Sequence, residues 1–368
     1  MKMKKILPLI FLLAAMFFQA CNASTPTPAA ANPTEPVAVS SESASSTPES
    51  MQSVEPTKSQ PTLEPTTSPT VIPVKHVTIP SAGTSDRATA HDNENSLFFD
   101  TKKVKTGDDF YKNRFERPFT SVDMAYLPDL DIVNFSITSD KDFFYIKVSM
   151  VSLDKQSQSL TGSYGVEIDR NADGRAELLL ATRPPYTTEF SADNVNAYLD
   201  VNGDVGGSVI NRPDNSGSDG FEKTVFDLSH GVYPKDDPDL VWVRQTTDGD
   251  LPAVEIAFKR SIFNGGKETF MWSVLSSGTT IDPAKLYWND HYTAAEAGAA
   301  NTDDPNYPIK GLAAVDNTCR VPLGFQAAGT EPLGCYVKGG EAEAKATPSA
   351  DGPDSTCGQF VELCSKAK

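Results

Sequence analysis

From residue 131 onward, the chain is a series of short segments in which apolar and polar residues alternate. In the segment 143–150, Phe144, Ile146 and Val148 fall on one face, and Tyr145 and Lys147 fall on the other. A period of two is the pattern of a β-strand with one face in a core. Clusters of Gly, Asp, Asn, Ser and Pro between the segments indicate turns. The pattern predicts β-strands at 131–138, 143–150, 164–168, 176–182, 195–200, 221–227, 240–245, 253–259 and 268–276.

The fold class follows from the number and spacing of these strands. Many short alternating strands joined by polar turns are typical of an antiparallel β-sandwich, with jelly-roll or Ig-like layers and long loops. Helical periodicity is scarce, and 294–300 is expected to form only one or two turns. Trp242 and Trp272 stand in alternating strands and are predicted core residues. At roughly 240 residues, 97–337 fits one large all-β domain.

The N-terminus has the layout of an export signal. Three lysines within the first five residues precede an apolar run at 6–18, which is shorter than the ~20 residues of a membrane-spanning helix. We interpret 1–20 as a signal peptide. The sequence Phe-Gln-Ala-Cys that ends at Cys21 resembles the lipobox of bacterial lipoproteins, which implies lipidation of Cys21 and anchoring in a membrane through the lipid. Simple secretion is the alternative.

Low-complexity segments flank the predicted domain. Residues 22–80 are rich in Pro, Ser, Thr and Glu, and residues 81–96 remain polar, so we expect 21–96 to be a disordered tether. A passive spacer and a partner-binding segment are both compatible with this composition. Residues 338–368 form a second low-complexity segment that contains Cys357 and Cys364.

Charge and cysteine content narrow the function classes. With 32 basic and 49 acidic residues, the formal net charge is −17, which disfavours nucleic-acid partners and favours divalent cations. The chain has five cysteines, of which four remain if the first is lipidated. In an exported protein, four cysteines favour two disulfides, and sequence proximity pairs Cys319 with Cys335 and Cys357 with Cys364. A zinc site of four thiolates is the alternative, although no Cys-x-x-Cys pair occurs.

Two acidic loops are candidate calcium sites. The first follows the spacing of an EF-hand loop at its start, but Leu180 stands where an EF-hand has its bidentate Glu. Strands flank the loop instead of helices, so it is not an EF-hand. Consecutive antiparallel strands would bring the second loop to the same rim. The predicted calcium ligands are Asp169, Asn171, Asp173, Arg175 and Glu177 in the first loop and Asp200, Asn202 and Asp204 in the second. Plain turns are the alternative.

One short segment combines aromatic rings with hydrogen-bonding groups, as sugar-binding sites do. The candidate ligand-binding residues are Trp288, Asn289, Asp290, His291 and Tyr292. The alternative is that the rings pack against the sandwich while the polar residues cap the turn that follows. The chain has no Gly-x-Ser-x-Gly, His-Glu-x-x-His or phosphate-binding glycine loop, so we expect a non-catalytic protein. A hydrolase with a carboxylate pair has no local sequence pattern and stays open.

Four stretches carry a resemblance to a known family. NFSITSDKDFFYIKVSM, SYGVEIDRNADG, AVEIAFKRSIF and FMWSVLSS follow one another in the order seen in family 9 carbohydrate-binding modules and DOMON-like domains. The resemblance covers 131–276 and implies a β-sandwich that often binds sugars, sometimes binds calcium and has no catalytic residues. The whole layout also resembles bacterial surface lipoproteins. Together these features predict a lipid-anchored extracytoplasmic protein with a calcium-stabilised module for glycan or cell-wall material. The alternatives are a secreted glycoside hydrolase and a purely structural surface protein.

Overall fold

The computed structural model describes residues 74–92, 99–104, 106–207, 220–234, 237–263, 265 and 268–335. The predicted signal peptide, Cys21, Cys357 and Cys364 lie outside these ranges. Short 3-10 turns occur at Phe99–Thr101, Phe110–Lys112, Leu228–His230, Arg260–Phe263 and Pro283–Lys285. The strands and helices, in chain order, are β1 (Ser85–His91), β2 (Glu116–Arg117), β3 (Ile132–Ser139), β4 (Phe143–Met150), β5 (Ser163–Asp169), β6 (Leu178–Thr182), β7 (Val195–Leu199), β8 (Lys223–Phe226), β9 (Val241–Asp248), β10 (Leu251–Lys259), β11 (Phe270–Ser277), α1 (Trp288–His291), α2 (Ala294–Ala297), β12 (Val315–Asn317) and β13 (Val321–Leu323).

The strands form two antiparallel sheets, so the all-β prediction is confirmed. The small sheet has the order β1-β3-β4-β10-β9. The large sheet has the order β2-β12-β11-β5-β6-β7-β8, and β13 pairs with the other end of β11. Every pairing between these strands is antiparallel, which fits chains that reverse at short polar turns.

The main core lies between the sheets and is built by the alternating faces of the strands. In the small sheet, Ile146 lies opposite Ile137 on one side and Ile256 on the other, and all three are fully buried. Each side chain of this kind stabilises the fold by about 1.5–3 kcal/mol. The ring of Trp272 in the large sheet packs edge-on against Phe135 of the small sheet, with ring centroids 5.2 Å apart. The prediction that Trp272 is a core residue is therefore confirmed.

The start of the domain corrects the predicted boundary. Order was expected near residue 97, but β1 pairs antiparallel with β3 along the edge of the small sheet. The inward side chains of β1 are only Ala88 and Ala90, so the segment lacks the apolar pattern of a strand. Before β1, the ring of His76 contacts Asp239 at 2.7 Å and lies tilted against the ring of Trp242, with 4.6 Å between the centroids. Residues 74–92 therefore belong to the folded unit and not to the predicted tether.

A layer of irregular chain covers the outer face of the large sheet. Leu179 and Leu275 on this face pack with Ile281, Leu286 and Tyr287 in a second apolar cluster. The helix expected at 294–300 is a single turn, Ala294–Ala297, with a capping box between Thr293 and Glu296. The predicted Cys319–Cys335 disulfide closes a loop that contains β13, with 5.0 Å between the Cα atoms.

Candidate metal-binding loops

The two acidic loops lie side by side at one rim of the large sheet. β5 and β7 both pair with β6, so they run in the same direction and their C-terminal ends reach the same edge. The N–H of Gly207 donates to the carbonyl of Gly174 at 2.8 Å, and the N–H of Asp200 donates to the carbonyl of Glu177 at 3.2 Å. The predicted placement of both loops on a common rim therefore agrees with the structure.

The loops also share one internal hydrogen-bond pattern. The Asp169 carboxylate accepts from the backbone N–H groups three and five residues further on, at 2.7 and 2.9 Å. The Asp200 carboxylate likewise accepts from the backbone N–H groups three and five residues further on, at 2.6 and 2.9 Å. The amide oxygens of Asn171 and Asn202 each accept from the N–H two residues on, at 2.9 and 3.1 Å. The repeated Asp-x-Asn-x-Asp sequence thus forms two copies of one turn.

These bonds order oxygen atoms that a cation could use. A carboxylate or amide oxygen has two lone pairs, so an atom that accepts an N–H bond can still ligate a metal. Asn171, Asp173 and Asn202 are exposed, whereas Asp169 and Asp200 are buried. Glu222 adds a carboxylate to the second loop, where it accepts from the N–H groups of Val201 and Asn202 at 3.0 and 3.1 Å. Glu222 was missed because it comes from the chain after the loop.

A buried arginine changes the electrostatics of the first loop. Nη1 of Arg320 donates to Oδ2 of Asp169 at 3.0 Å, and Nη2 donates to Oε2 of Glu167 at 3.3 Å. Nη2 also lies 3.3 Å from the hydroxyl oxygen of Tyr287. Arg320, 151 residues further along the chain, thus supplies a protein cation that offsets the charge of Asp169.

Burial and neighbouring charges shift the carboxyl groups around this arginine. Burial raises the pKa of both Glu167 and Asp169, and Arg320 opposes that rise. Burial also raises the pKa of Glu177, and the charges of Asp169 and Asp173 add to the rise. Burial alone would lower the pKa of Arg320, but Tyr287, Glu167 and Asp169 raise it, so the guanidinium stays charged. A pocket beside this network has room for about one water molecule and is too small for a sugar.

Arg175, one of the predicted ligands, joins the two loops through its side chain. Its Nη1 donates to the carbonyl of Gly206 at 3.0 Å. Gly206 has a φ of +82°, and a Cβ there would lie 2.5 Å from Cζ of Tyr287. The position thus requires glycine both for its backbone conformation and for the close approach of the Tyr287 ring. Tyr287 therefore brings the aromatic segment, the predicted ligand-binding residues Trp288 to Tyr292, directly against the second loop.

The aromatic segment is only partly accessible. Asn289 and Asp290 are 3% and 1% exposed, so burial removes these two predicted ligand-binding side chains from the reach of a surface ligand. Trp288 packs edge-on against the ring of Phe115, at 5.6 Å between centroids. Partial exposure of Trp288, His291 and Tyr292 leaves a ligand role for these three as a prediction. Burial and, secondarily, the charge of Lys285 lower the pKa of His291, which favours the neutral imidazole.

Within the described ranges, no helix has the length and apolar character needed to span a bilayer. The resemblance drawn from the four sequence stretches stays a prediction. Comparison of the chain with models of known protein families, with curated proteins and with solved structures finds no match.

Proposed function

We propose that this protein is a lipid-anchored extracytoplasmic module that binds glycan or cell-wall material beside two calcium-binding loops and performs no catalysis. The observation that carries the proposal is the convergence of three elements at one rim. Two loops with the same Asp-x-Asn-x-Asp turn lie against each other, and Tyr287 joins the partly exposed aromatic segment to them.

Calcium suits the loops because it takes six to eight oxygen ligands in flexible geometry. The exposed oxygens of Asn171 and Asp173 in the first loop, and of Asn202 and Glu222 in the second, are hard ligands of this kind. Ions at these positions would fix the loops and, through Gly206, the position of Tyr287. Calcium would then act on glycan binding by ordering the rim next to Trp288 and Tyr292.

The proposed location is supported by two independent features. The lipobox-like sequence at Cys21 follows a basic and apolar leader, which is the layout of an exported lipoprotein. The Cys319–Cys335 disulfide is of the kind that persists in oxidising, extracytoplasmic compartments.

A glycan and polysaccharide array tests the proposal, with the same ligands assayed for hydrolysis. We expect binding in calcium that weakens by about tenfold or more in chelator, equivalent to ~1.4 kcal/mol. Asp173→Asn and Asp204→Asn should each reduce the calcium response, because each removes a charged ligand. Lys147→Ala, on the outer face of the small sheet, is the control and should bind like the wild type.

Two outcomes would overturn this function. Turnover of a bound polysaccharide would instead support a carboxylate-dependent hydrolase. Absence of binding to all arrayed ligands, with and without calcium, would instead support a structural surface protein.

A further inference from the structure

A separate group of carboxylates lies buried at the edge of the sandwich, away from the acidic loops in the sequence. One oxygen each from Asp92, Glu116 and Asp316 lies within 4.8 Å of the others. Their side chains belong to residues that are 5%, 2% and 0% exposed. Asp131, also fully buried, is close enough for its charge to act on Asp316. None of these four residues belongs to the predicted ligand set.

Asp316 indicates that the group is incomplete without a cation. Its Oδ2 accepts the backbone N–H of Ile132 at 2.8 Å, but its Oδ1 has no hydrogen-bond partner among the described residues although Asp316 is fully buried. A buried acceptor without a partner is costly, and more so when it is charged. Burial and the charges of Asp92 and Asp131 raise the pKa of Asp316, because a negative charge is unfavourable in this buried acidic group.

We propose that Asp92, Glu116 and Asp316 form a buried divalent-cation site that binds calcium. Three carboxylates supply hard, negatively charged oxygen ligands, and a cation among them would satisfy Oδ1 of Asp316 and remove the repulsion. Calcium is favoured over magnesium because magnesium retains several water molecules and usually takes only one or two carboxylates. A group so fully buried leaves little room for such a hydration shell.

The position of the site in the fold defines its role. Asp92 directly follows β1, the edge strand of the small sheet, and its N–H donates to the carbonyl of Val133 at 3.0 Å. Glu116 and Asp316 stand opposite each other in β2 and β12 at the edge of the large sheet. A cation bound by all three therefore clamps the edges of the two sheets together.

The test uses the full chain carrying Asp173→Asn and Asp204→Asn, so that the acidic loops cannot account for the result. After removal of metal with chelator and dialysis against calcium, elemental analysis should find one tightly held calcium per chain. Adding Asp316→Asn or Glu116→Gln should abolish this calcium. Glu255→Gln removes another buried carboxylate, one paired with Arg244 at Nε to Oε2 2.7 Å, and should leave the calcium content unchanged.

Thermal melting gives the second readout, in which the order of stability reverses. The parent in this comparison is the chain that carries Asp173→Asn and Asp204→Asn. With calcium, the parent should melt at a higher temperature than its Asp316→Asn variant, because only the parent binds the ion. In chelator, the variant should melt at the higher temperature, because the amide removes repulsion and still accepts the Ile132 N–H. A parent that holds no calcium and melts identically in calcium and chelator would overturn the site, whatever the result for the loops. Loss of the calcium in Glu255→Gln would also count against it.

Discussion

At the scale of single residues, Arg320 organises the charges behind the first acidic loop. It is 2% exposed and contacts two carboxylates, Glu167 and Asp169, that are also buried. Removing one partner of a buried ionic group leaves the others uncompensated, which usually costs more than the group contributed. Arg320 also stands next to Cys319, so the disulfide restrains the backbone from which the guanidinium extends.

We expect Arg320→Met to lower the free energy of unfolding by about 3–5 kcal/mol at pH 7. Glu167 and Asp169 already have raised pKa values, and loss of the cation raises them further. A carboxyl with a raised folded-state pKa binds its proton more tightly in the folded protein. Its ionisation therefore destabilises the fold as pH rises, and this loss of stability decreases as pH falls through that pKa. The loss should therefore be smaller at pH 5 than at pH 7, as measured by urea unfolding.

The control for this change is a second substitution in the same network. Glu167→Gln in the Arg320→Met background removes one of the stranded charges and should recover part of the lost stability at pH 7. Equal destabilisation at both pH values, with no recovery in the double variant, would mean that Arg320 stabilises the fold by packing alone.

At the scale of elements, β1 is a strand that forms by pairing with β3, although its own sequence has only a weak alternation of apolar and polar residues. β1 contributes two alanines to the core, and its exposed positions include Arg87 and Thr89. Its stability comes from the ladder with β3, to which it pairs from Ser85 to His91 with one irregularity. It also covers the edge of β3, whose backbone groups would otherwise be open to pairing with another chain.

A pair of truncations tests the importance of β1. Deletion of residues 1–73 should leave the melting temperature of the domain unchanged. Deletion of residues 1–92 should lower the unfolding free energy by about 3 kcal/mol or more, because several ladder hydrogen bonds at roughly 1 kcal/mol each are lost. The longer deletion should also increase aggregation, which light scattering would detect. Equal melting temperatures for the two deletions would contradict a structural role for β1.

At the scale of the whole molecule, the sequence predicts a membrane anchor and a tether before the folded unit. The residues between the predicted lipid at Cys21 and the start of the folded unit near residue 74 are rich in proline. This composition predicts a tether, and that prediction lies outside the residues that the structure describes. The formal net charge of −17 adds repulsion from anionic lipid headgroups.

We expect Cys21→Ser to abolish membrane anchoring when the chain is expressed in a bacterium. The variant should be released into the medium or remain unprocessed, whereas the wild type should partition into the detergent phase because it carries acyl chains. Detergent phase separation followed by immunoblotting measures this. Lys147→Ala serves as the control and should partition like the wild type. Identical partitioning of the Cys21→Ser variant and the wild type would favour simple secretion.

The sequence by itself determined the features that depend on local periodicity and short separations. The alternation at 143–150 and 253–259 predicted β4 and β10, and the antiparallel succession of β5, β6 and β7 predicted that both acidic loops reach one rim. The separation of 16 residues between Cys319 and Cys335 was enough to pair them. In each case the property follows from neighbours in the chain, where side-chain period and turn chemistry act directly.

Only the tertiary structure decided which distant groups meet. Arg320 reaches Asp169 across 151 residues, and Asp316 in β12 of the large sheet approaches Asp92, which follows β1 of the small sheet. The packing of the chain also buries Asn289 and Asp290, which the sequence predicted to be ligand-binding residues on the surface. Local sequence specifies the conformation of a segment, but the charge and exposure of a side chain depend on what packs against it. Those partners are chosen by the pairing of whole strands and by the burial of their apolar faces.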